Sequence, residues 1–331
     1  MALKGDLAKE WLADFPDTPS LTLAKALHKA FPSVYMSDED ARDRVRYYRG
    51  KAGKSDLSRL TDKTHVKKED GPFNPFDSLP EGLTYYDEWE PYIIEGERIL
   101  VLADIHSPFY DKRALKAAVD YGKKKEIDTV LFLGDLIDYF SISFWDKDPR
   151  KRDIRQEIDM TRGVLDTIRT TFPDAKMVIK TGNHDERIER YLKVKAVELL
   201  GMEALTYEEQ FQTNRFDIDI VQDKRLVKVA DLNCVHGHEF NRTFFSPVNP
   251  ARGLYLRGKE TAICAHFHRT SEHAETSMTD EVTVCWSIGC LCDLRPTYAP
   301  FNSWNHGFAI IYRQGSKFFV KNKKIIDGEI F

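Results

Sequence analysis

No stretch of this chain approaches the roughly 18 consecutive apolar residues of a membrane span. The mean hydropathy of its 331 residues is −0.47. Both features exclude a membrane-spanning chain and describe a globular protein that needs no bilayer. Cysteine is scarce: Cys234, Cys264, Cys285, Cys290 and Cys292, an odd count of five with no Cys-x-x-Cys pair. That argues against a disulfide framework, so buried free thiols in a reducing cytoplasm are expected. The first 30 residues lack a charged start followed by an apolar core, so no secretory signal is visible. Charge of one sign is missing too. A net charge of −4 offers no global attraction for nucleic acid, and any such contact has to be local. No internal repeat is visible.

The length suits one large domain and a small one. Residues 1–60 read as a small all-helical domain, 61–90 as a linker and 91–331 as a mixed α/β domain. In the first part, Leu7, Trp11 and Leu12 form one apolar face. Ser20 is placed as an N-cap before Leu21 to Leu27, and Ser37 as the cap of a third helix. That helix opens with Asp38, Glu39 and Asp40, as the helix dipole favours, and ends at Gly50. Pro72, Pro75 and Pro80 break any periodicity in the linker.

From residue 91 strands alternate with helices. Tyr92 to Ile94 and Arg98 to Leu102 flank a glycine turn, which suggests a hairpin. Helices fit 114–125 and 154–170, and continuous apolar strands fit 129–133 and 177–179. Later strand-like runs cover 226–229, 232–235, 262–264, 281–286, 308–312 and 318–320, with a helix near 250–257.

The strands ending at Leu102, Leu133 and Ile179 each run into a polar block. The blocks are Asp104-Ile105-His106, Gly134-Asp135-Leu136-Ile137-Asp138 and Gly182-Asn183-His184-Asp185. Val235-His236-Gly237-His238 and Ala265-His266-Phe267-His268 follow. Carboxylate, imidazole and amide side chains are the ligands of borderline divalent cations, and a pair of cations needs one bridging carboxylate. Alternate residues of an extended segment share a face, so Asp104 and His106 can reach one metal, as can His266 and His268. Carboxyl ends of buried strands are where open α/β sheets place their sites.

From about Ile99 to His268 this order of blocks resembles the calcineurin-like metallophosphoesterase family. The resemblance implies two sheets packed face to face with helices outside, an αββα sandwich. It implies that Asp104, His106, Asp135 and His268 hold one divalent ion and that Asp135, Asn183, His236 and His266 hold a second. Mn²⁺ is favoured, with Fe or Zn²⁺ as alternatives. A hydroxide would attack phosphorus in line, with His184 as general acid oriented by Asp185 and Asp138 hydrogen-bonded behind a ligand. Ala265 stands where the family usually has glycine. Tyr139 stands where phosphoprotein phosphatases of the family carry arginine, and Asp185 where they carry glutamate, which argues against that branch. His238 is expected at the surface or behind a ligand, and Cys234 and Cys264 in strand packing.

The third helix carries Arg42, Arg44, Arg46, Tyr47, Tyr48 and Arg49. From Arg42 to Lys68 ten Lys or Arg face three Asp, a local excess of seven. Short helices with a basic last member look like a helix-turn-helix, which suits DNA; a protein-docking module is the alternative. Arg187, Arg242 and Arg269 follow ligand blocks and can reach a substrate phosphate, or serve as surface ion pairs. Tyr298, Phe301 and Trp304 can stack bases or pack their own loop. Gly289 to Pro296 and Trp304 to Phe308 are similar to phage-borne and prokaryotic members of the family, which often carry a small N-terminal helical domain. The expected activity is therefore a two-metal phosphodiesterase directed at DNA. A phosphatase or phosphodiesterase for a small nucleotide or phosphoprotein is the alternative. A DNA-binding regulator with an idle phosphoesterase domain is a further one, opposed by the complete ligand set.

Overall fold

The computed structural model of the chain describes residues 4–50, 76, 79–83, 89–144, 153–240 and 248–331. The chain divides into two units, Met1–Leu83 and Thr84–Phe331. Most of the expected linker, and Arg242, lie outside the described residues.

The first unit contains helices α1 (Lys4–Asp14), α2 (Ser20–Ala30) and α3 (Asp38–Arg49). Leu7, Ala8 and Leu12, then Leu23, Ala24 and Leu27, then Ala41 and Val45 recur every three or four residues. Those stripes close with Tyr35 into one small core. Ser37 caps α3, its Oγ accepting from Asp40 N at 3.1 Å, and Gly50 ends it at φ +86°. Ser20, expected as a cap, is instead the first residue of α2, behind Pro19. Its Oγ accepts from Arg49 Nη1 at 3.0 Å, while Arg49 Nη2 donates to Pro16 O at 2.9 Å. That hydroxyl is spent on tying α3 to the start of α2.

In the second unit the two-sided apolar strands form the centre. β1 (Tyr92–Ile93), β2 (Arg98–Leu102), β3 (Thr129–Leu133), β4 (Lys176–Lys180) and β5 (Ile218–Val221) come first. β6 (Val227–Val229), β7 (Leu232–Val235), β8 (Ala262–Cys264) and β9 (Ser271–Thr276) follow. β10 (Val282–Ser287), β11 (His306–Gln314), β12 (Lys317–Ile326) and β13 (Glu329–Ile330) complete the set. One sheet runs β13-β12-β11-β2-β3-β4-β5, with β2 to β5 parallel. The other runs β1-β6-β7-β8-β10-β9.

Alternation along β2, β3 and β4 explains the layers. Ile99, Val101, Leu131, Leu133 and Val178 meet Val227, Leu232, Ile263 and Trp286 between the sheets. Leu100, Leu102, Val130, Phe132, Met177 and Ile179 face helices α4 (Lys112–Lys124) and α5 (Ile154–Thr171). Helices α6 (Arg187–Lys195), α7 (Tyr207–Phe211) and α8 (Thr213–Phe216) lie between β4 and β5 in the chain. Helix α9 (Pro250–Gly258) covers the second sheet through Ala251 and Leu254 against Val235, Ala262 and Cys264. Burying each such side chain stabilises by about 1.5–3 kcal/mol. Helix, sheet, sheet, helix is the expected sandwich.

The expected hairpin at 92–102 does not form. β1 pairs in parallel with β6 in the other sheet. β2 is needed on both faces at the centre of its own sheet, so the Gly96 turn carries the chain between layers. A Cβ at Gly96 would lie 2.1 Å from Thr129 Oγ1, so no larger residue fits that turn.

Replacing Ser37 by alanine should lower the stability of the N-terminal helices by about 1 kcal/mol. Hydrogen exchange of the whole chain should quicken across α3 and stay unchanged across β2 to β4.

Candidate metal centre

The polar blocks leave their strands side by side and knit together by backbone bonds. Asp104 N donates to Gly134 O at 3.1 Å and His106 N to Asp135 O at 2.9 Å. His184 N donates to Asp135 Oδ1 at 2.8 Å, and His266 N to Asp104 Oδ2 at 3.0 Å. Ala265 N reaches His236 O at 2.9 Å. Asp104, His106, Asp135, His266 and His268 all take the left-handed conformation, with φ of +49°, +48°, +53°, +68° and +53°. That conformation costs a non-glycine residue about 1–2 kcal/mol. Strain gathered on the very residues that converge here marks a functional site. Two glycines make the convergence possible. A Cβ at Gly134 would sit 2.2 Å from His236 Nδ1, and one at Gly182 would sit 2.3 Å from Asp135 Oδ1.

The donor atoms face one another. Asp135 Oδ2 lies 3.3 Å from His236 Nε2, 3.6 Å from His106 Nε2 and 3.9 Å from His184 Nε2. Asp104 Oδ1 lies 3.4 Å from His268 Nε2 and 4.0 Å from both His106 and His236 Nε2. Donors bound to one ion at about 2.1 Å stand roughly 3.0–3.5 Å apart. Asp104 Oδ1, Asn183 Oδ1 and His236 Nε2 are buried without a partner in hydrogen-bond geometry. Such atoms are costly to leave unsatisfied. Three overlapping groups have metal-binding spacing: Asp135 with His236 and His266, Asp135 with His106 and His184, and His106 with His268 and Cys292. The residues present therefore fit divalent cations. His236 Nδ1 lies 2.8 Å from Leu133 O, which holds that nitrogen as the donor and leaves Nε2 as the ligand atom.

The charges agree with this reading. Burial opposes ionisation of Asp135 and Asp104, yet the imidazoles around them, His236 and His268 foremost, hold both below the usual carboxylate range. Burial also opposes the charge on His236, but Asp135 outweighs it and raises that imidazole to about 10. His266 is pushed down to about 3, by burial and then by His236. A positive charge is what these carboxylates draw, and a bound cation supplies it with neutral imidazoles as ligands.

His184 does not rest on Asp185. Its Nδ1 lies 3.2 Å from Asp138 Oδ2, the same oxygen that is 3.1 Å from His106 Nδ1. Burial works against the Asp138 charge, but the hydrogen bond with His106 and the nearby His184 imidazole hold it well below the usual range. Asp185 points away, into the loops. It accepts from Asp135 N at 2.8 Å, Leu136 N at 3.1 Å, Ile137 N at 3.3 Å and Gly182 N at 2.7 Å, and from the Tyr207 hydroxyl at 2.9 Å. The backbone amides of two loops claim Asp185, and the carboxylate nearest His184 is that of Asp138.

Arg187, at the start of α6, donates to Asp138 O at 2.7 Å and Oδ1 at 3.0 Å, and its Nη2 lies 3.0 Å from His184 Nε2. Arg269 is half-buried directly after His268. His238 pairs with Glu186 at 3.1 Å. Cys234 and Cys264 are buried in strand packing. Tyr139 is fully buried, its hydroxyl donating to Gln210 Oε1 at 2.7 Å, so it takes no part in gripping substrate.

Several residues here were not singled out in the sequence. Lys180 Nζ, with a fully buried side chain, lies 2.9 Å from Glu239 Oε1. Glu239 in turn accepts from His236 N at 3.0 Å and Gly237 N at 2.6 Å, bracing the fourth block against β4. Glu157 on α5 accepts from Phe140 N at 2.7 Å and Ser141 N at 2.9 Å. Cys292 Sγ stands 3.8 Å from His268 Nδ1. An acidic residue three after a ligand histidine was the only sequence signal for Glu239.

A family model described as calcineurin-like phosphoesterase matches residues 97–288, more than half of the chain. The Gene 54 protein of Mycobacterium phage L5 is 26% identical over 233 residues, covering 66% of this chain and 90% of its own length. Its counterpart in phage D29 is 25% identical over 233 residues, covering 67% and 91%. Among solved structures, a Vps29 single mutant from Entamoeba histolytica aligns at a TM-score of 0.37 and 13% identity over 71% of this chain and 96% of its own. YfcE, a phosphoesterase from E. coli, aligns at 0.35 and 12% identity over 64% and 87%.

Asp138→Asn should lower kcat on a generic phosphodiester by about 100-fold or more. Asp185→Asn should instead cost about 2 kcal/mol in denaturant unfolding, because an amide cannot accept all four N–H bonds. Lys180, with His238 and His236, outweighs burial and holds Glu239 down at about 2. A depressed carboxylate stabilises above its unfolded value of 4.5 and loses that contribution as pH falls through its folded one. Stability of the chelated protein should therefore drop by about 3 kcal/mol across this acid window, and Glu239→Gln should flatten the drop.

Proposed function

The chain belongs to the calcineurin-like phosphoesterase family, and from that premise we propose that it is a DNA-directed phosphodiesterase whose N-terminal helices bind the DNA. The membership makes it a metal-dependent hydrolase of phosphate esters. Divalent cations held by Asp104, His106, Asp135, Asn183, His236, His266 and His268 supply an activated nucleophile and screen charge on the phosphoryl oxygens. We favour Mn²⁺, since hard carboxylates mix here with imidazoles, and Fe or Zn²⁺ suit the same ligands.

The residues of this chain do the rest. His184, whose Nε2 faces the donor Arg187 here, would act as general acid to the leaving oxygen in its doubly protonated form, once Arg187 has turned to the substrate. Arg187, fixed beside that nitrogen, binds a phosphoryl oxygen of the substrate. Burial of Asp104 and Asp135 keeps bulk water from weakening the field in which charge develops.

The choice of DNA is carried by the outer face of α3. Ala41 and Val45 turn inward, Arg44 and Tyr47 are exposed, and Arg46 is half-exposed. Among the described residues neither Arg44 nor Arg46 has a carboxylate within ion-pair distance, whereas Arg42 pairs with Glu39 at 3.3 Å and Arg49 braces Pro16 and Ser20. Arg44, Arg46 and Tyr47 are therefore the residues offered to a phosphate backbone and its bases. The same face docks a protein in the competing view. All five cysteines are free and buried, which supports a reducing cytoplasm. No helix of the described residues is long and apolar enough to cross a membrane.

The test is cleavage of labelled single- and double-stranded DNA by Mn²⁺-loaded protein, beside a His184→Ala variant and a chelated sample. Cleavage abolished in both controls supports the nuclease. Binding should weaken steeply with salt, and less steeply once Arg44 and Arg46 are replaced by alanine. No cleavage, with turnover of a phosphomonoester, makes the protein a phosphatase. No turnover of either, with DNA binding intact, makes the domain idle.

A further inference from the structure

One loop beside the centre leaves two aromatic side chains largely open to water. Residues 293–305 join β10 to β11, and in them Phe301 is 99% exposed and Tyr298 69% exposed. Trp304 closes the loop with its ring centroid 4.1 Å from that of His268 and 6.3 Å from that of Tyr298. Across the same approach Phe109, 39% exposed, packs on Phe140 at 5.5 Å. Tyr298 lies close enough to Asp138 and Arg187 for their charges to act on its hydroxyl. Trp304 and Tyr298 therefore stand beside the candidate ligand His268, and Phe301 is exposed on the same loop.

The loop is also built to hold its shape. Asn302 Nδ2 donates to Leu294 O and to Ala299 O at 2.8 Å each, and Asn302 Oδ1 accepts from Trp304 N at 2.9 Å. Asp293 N reaches Phe109 O at 2.8 Å, and Asn305 N reaches His268 O at 2.9 Å. One end of the loop is thus fastened just beyond the first block and the other to the fifth. Arg295 is exposed on it, with no carboxylate in ion-pair distance among the described residues. A fixed loop that presents rings and a cation beside a phosphate-cleaving centre matches how proteins hold unpaired strands. Base faces stack on rings while a guanidinium follows the backbone.

We propose that the 293–305 loop is a stacking platform, on which Tyr298, Phe301 and Trp304 hold the unpaired bases beside the scissile phosphate, so that the substrate is cleaved as a single strand. This rests on the phosphodiesterase reading above and adds how the substrate is recognised. Rings without hydrogen-bonding groups aimed at base edges accept any base, so the platform selects for unstacked strands and not for a sequence.

The experiment compares a short oligothymidylate with a strand of equal length whose residues lack bases. The Mn²⁺-loaded wild type should prefer the oligothymidylate in kcat/KM. The ratio between the two strands should fall by about tenfold in Tyr298→Ala and again in Phe301→Ala. Both side chains are exposed, so neither change opens a cavity. In chelated protein the oligothymidylate should quench tryptophan fluorescence, the baseless strand should not, and Trp304→Phe should remove the response. Equal cleavage of both strands, or a ratio unmoved by both variants, overturns the platform. Quenching by oligothymidylate without any cleavage keeps the platform and removes the nuclease reading. Absence of both quenching and cleavage removes the platform as well.

Discussion

The loops that carry the candidate metal ligands leave their sheets, and their amide groups then need acceptors that no neighbouring strand provides. Asp185 meets that need for the two loops at the heart of the site, taking N–H bonds from Asp135, Leu136, Ile137 and Gly182. Without it Asp135 has no reason to stand in a left-handed conformation with its carboxylate turned toward three imidazoles. Burial, and then the nearby charge of Asp135, raise Asp185 to about 6, so its ionised form is held only because the amides and the Tyr207 hydroxyl converge on it. An aspartate in this position orders backbone, and the carboxylate nearest His184 is that of Asp138.

The same device recurs around the centre. Glu157 accepts from the amides that follow Tyr139. Glu239 accepts from those of His236 and Gly237, with buried Lys180 balancing its charge. Asp111 caps α4 by accepting from Arg113 N and Ala114 N at 2.8 Å each, close behind the first block. Charged acceptors make hydrogen bonds roughly twice as strong as neutral ones. Each carboxylate replaces part of the sheet ladder where a strand gives way to a functional loop. The apolar layers above and below supply the stability that tolerates this concentration of buried charge.

Much of this was readable from the chain. Apolar runs at 129–133, 232–235 and 262–264 match β3, β7 and β8 residue for residue, because strands buried on both faces carry their signal in every position. The polar blocks were readable because each follows such a run directly. β5 and β9 were not anticipated: Asp219 interrupts the first, and the second is a largely exposed edge strand without apolar alternation. The hairpin was misread since a glycine between two apolar runs looks the same whether the chain returns to one sheet or crosses to another. The resemblance implies Asp185 beside His184, whereas a left-handed turn at Asp135 and Tyr139 brings the Asp138 carboxylate to within 3.2 Å of its Nδ1. Long-range braces such as Lys180 with Glu239 carry no local pattern at all.

What the site accepts follows from which of its charges remain available. Asp104, Asp135 and Asp138 are turned inward onto imidazoles, and Glu239 onto Lys180, so the acidic residues present little negative field to an incoming phosphate. Tyr139 withdraws into the core where a guanidinium would otherwise face the substrate, and the positive group beside His184 comes from the first turn of α6. That helix presents its amino-terminal dipole toward the same region, which favours an anion independently of Arg187.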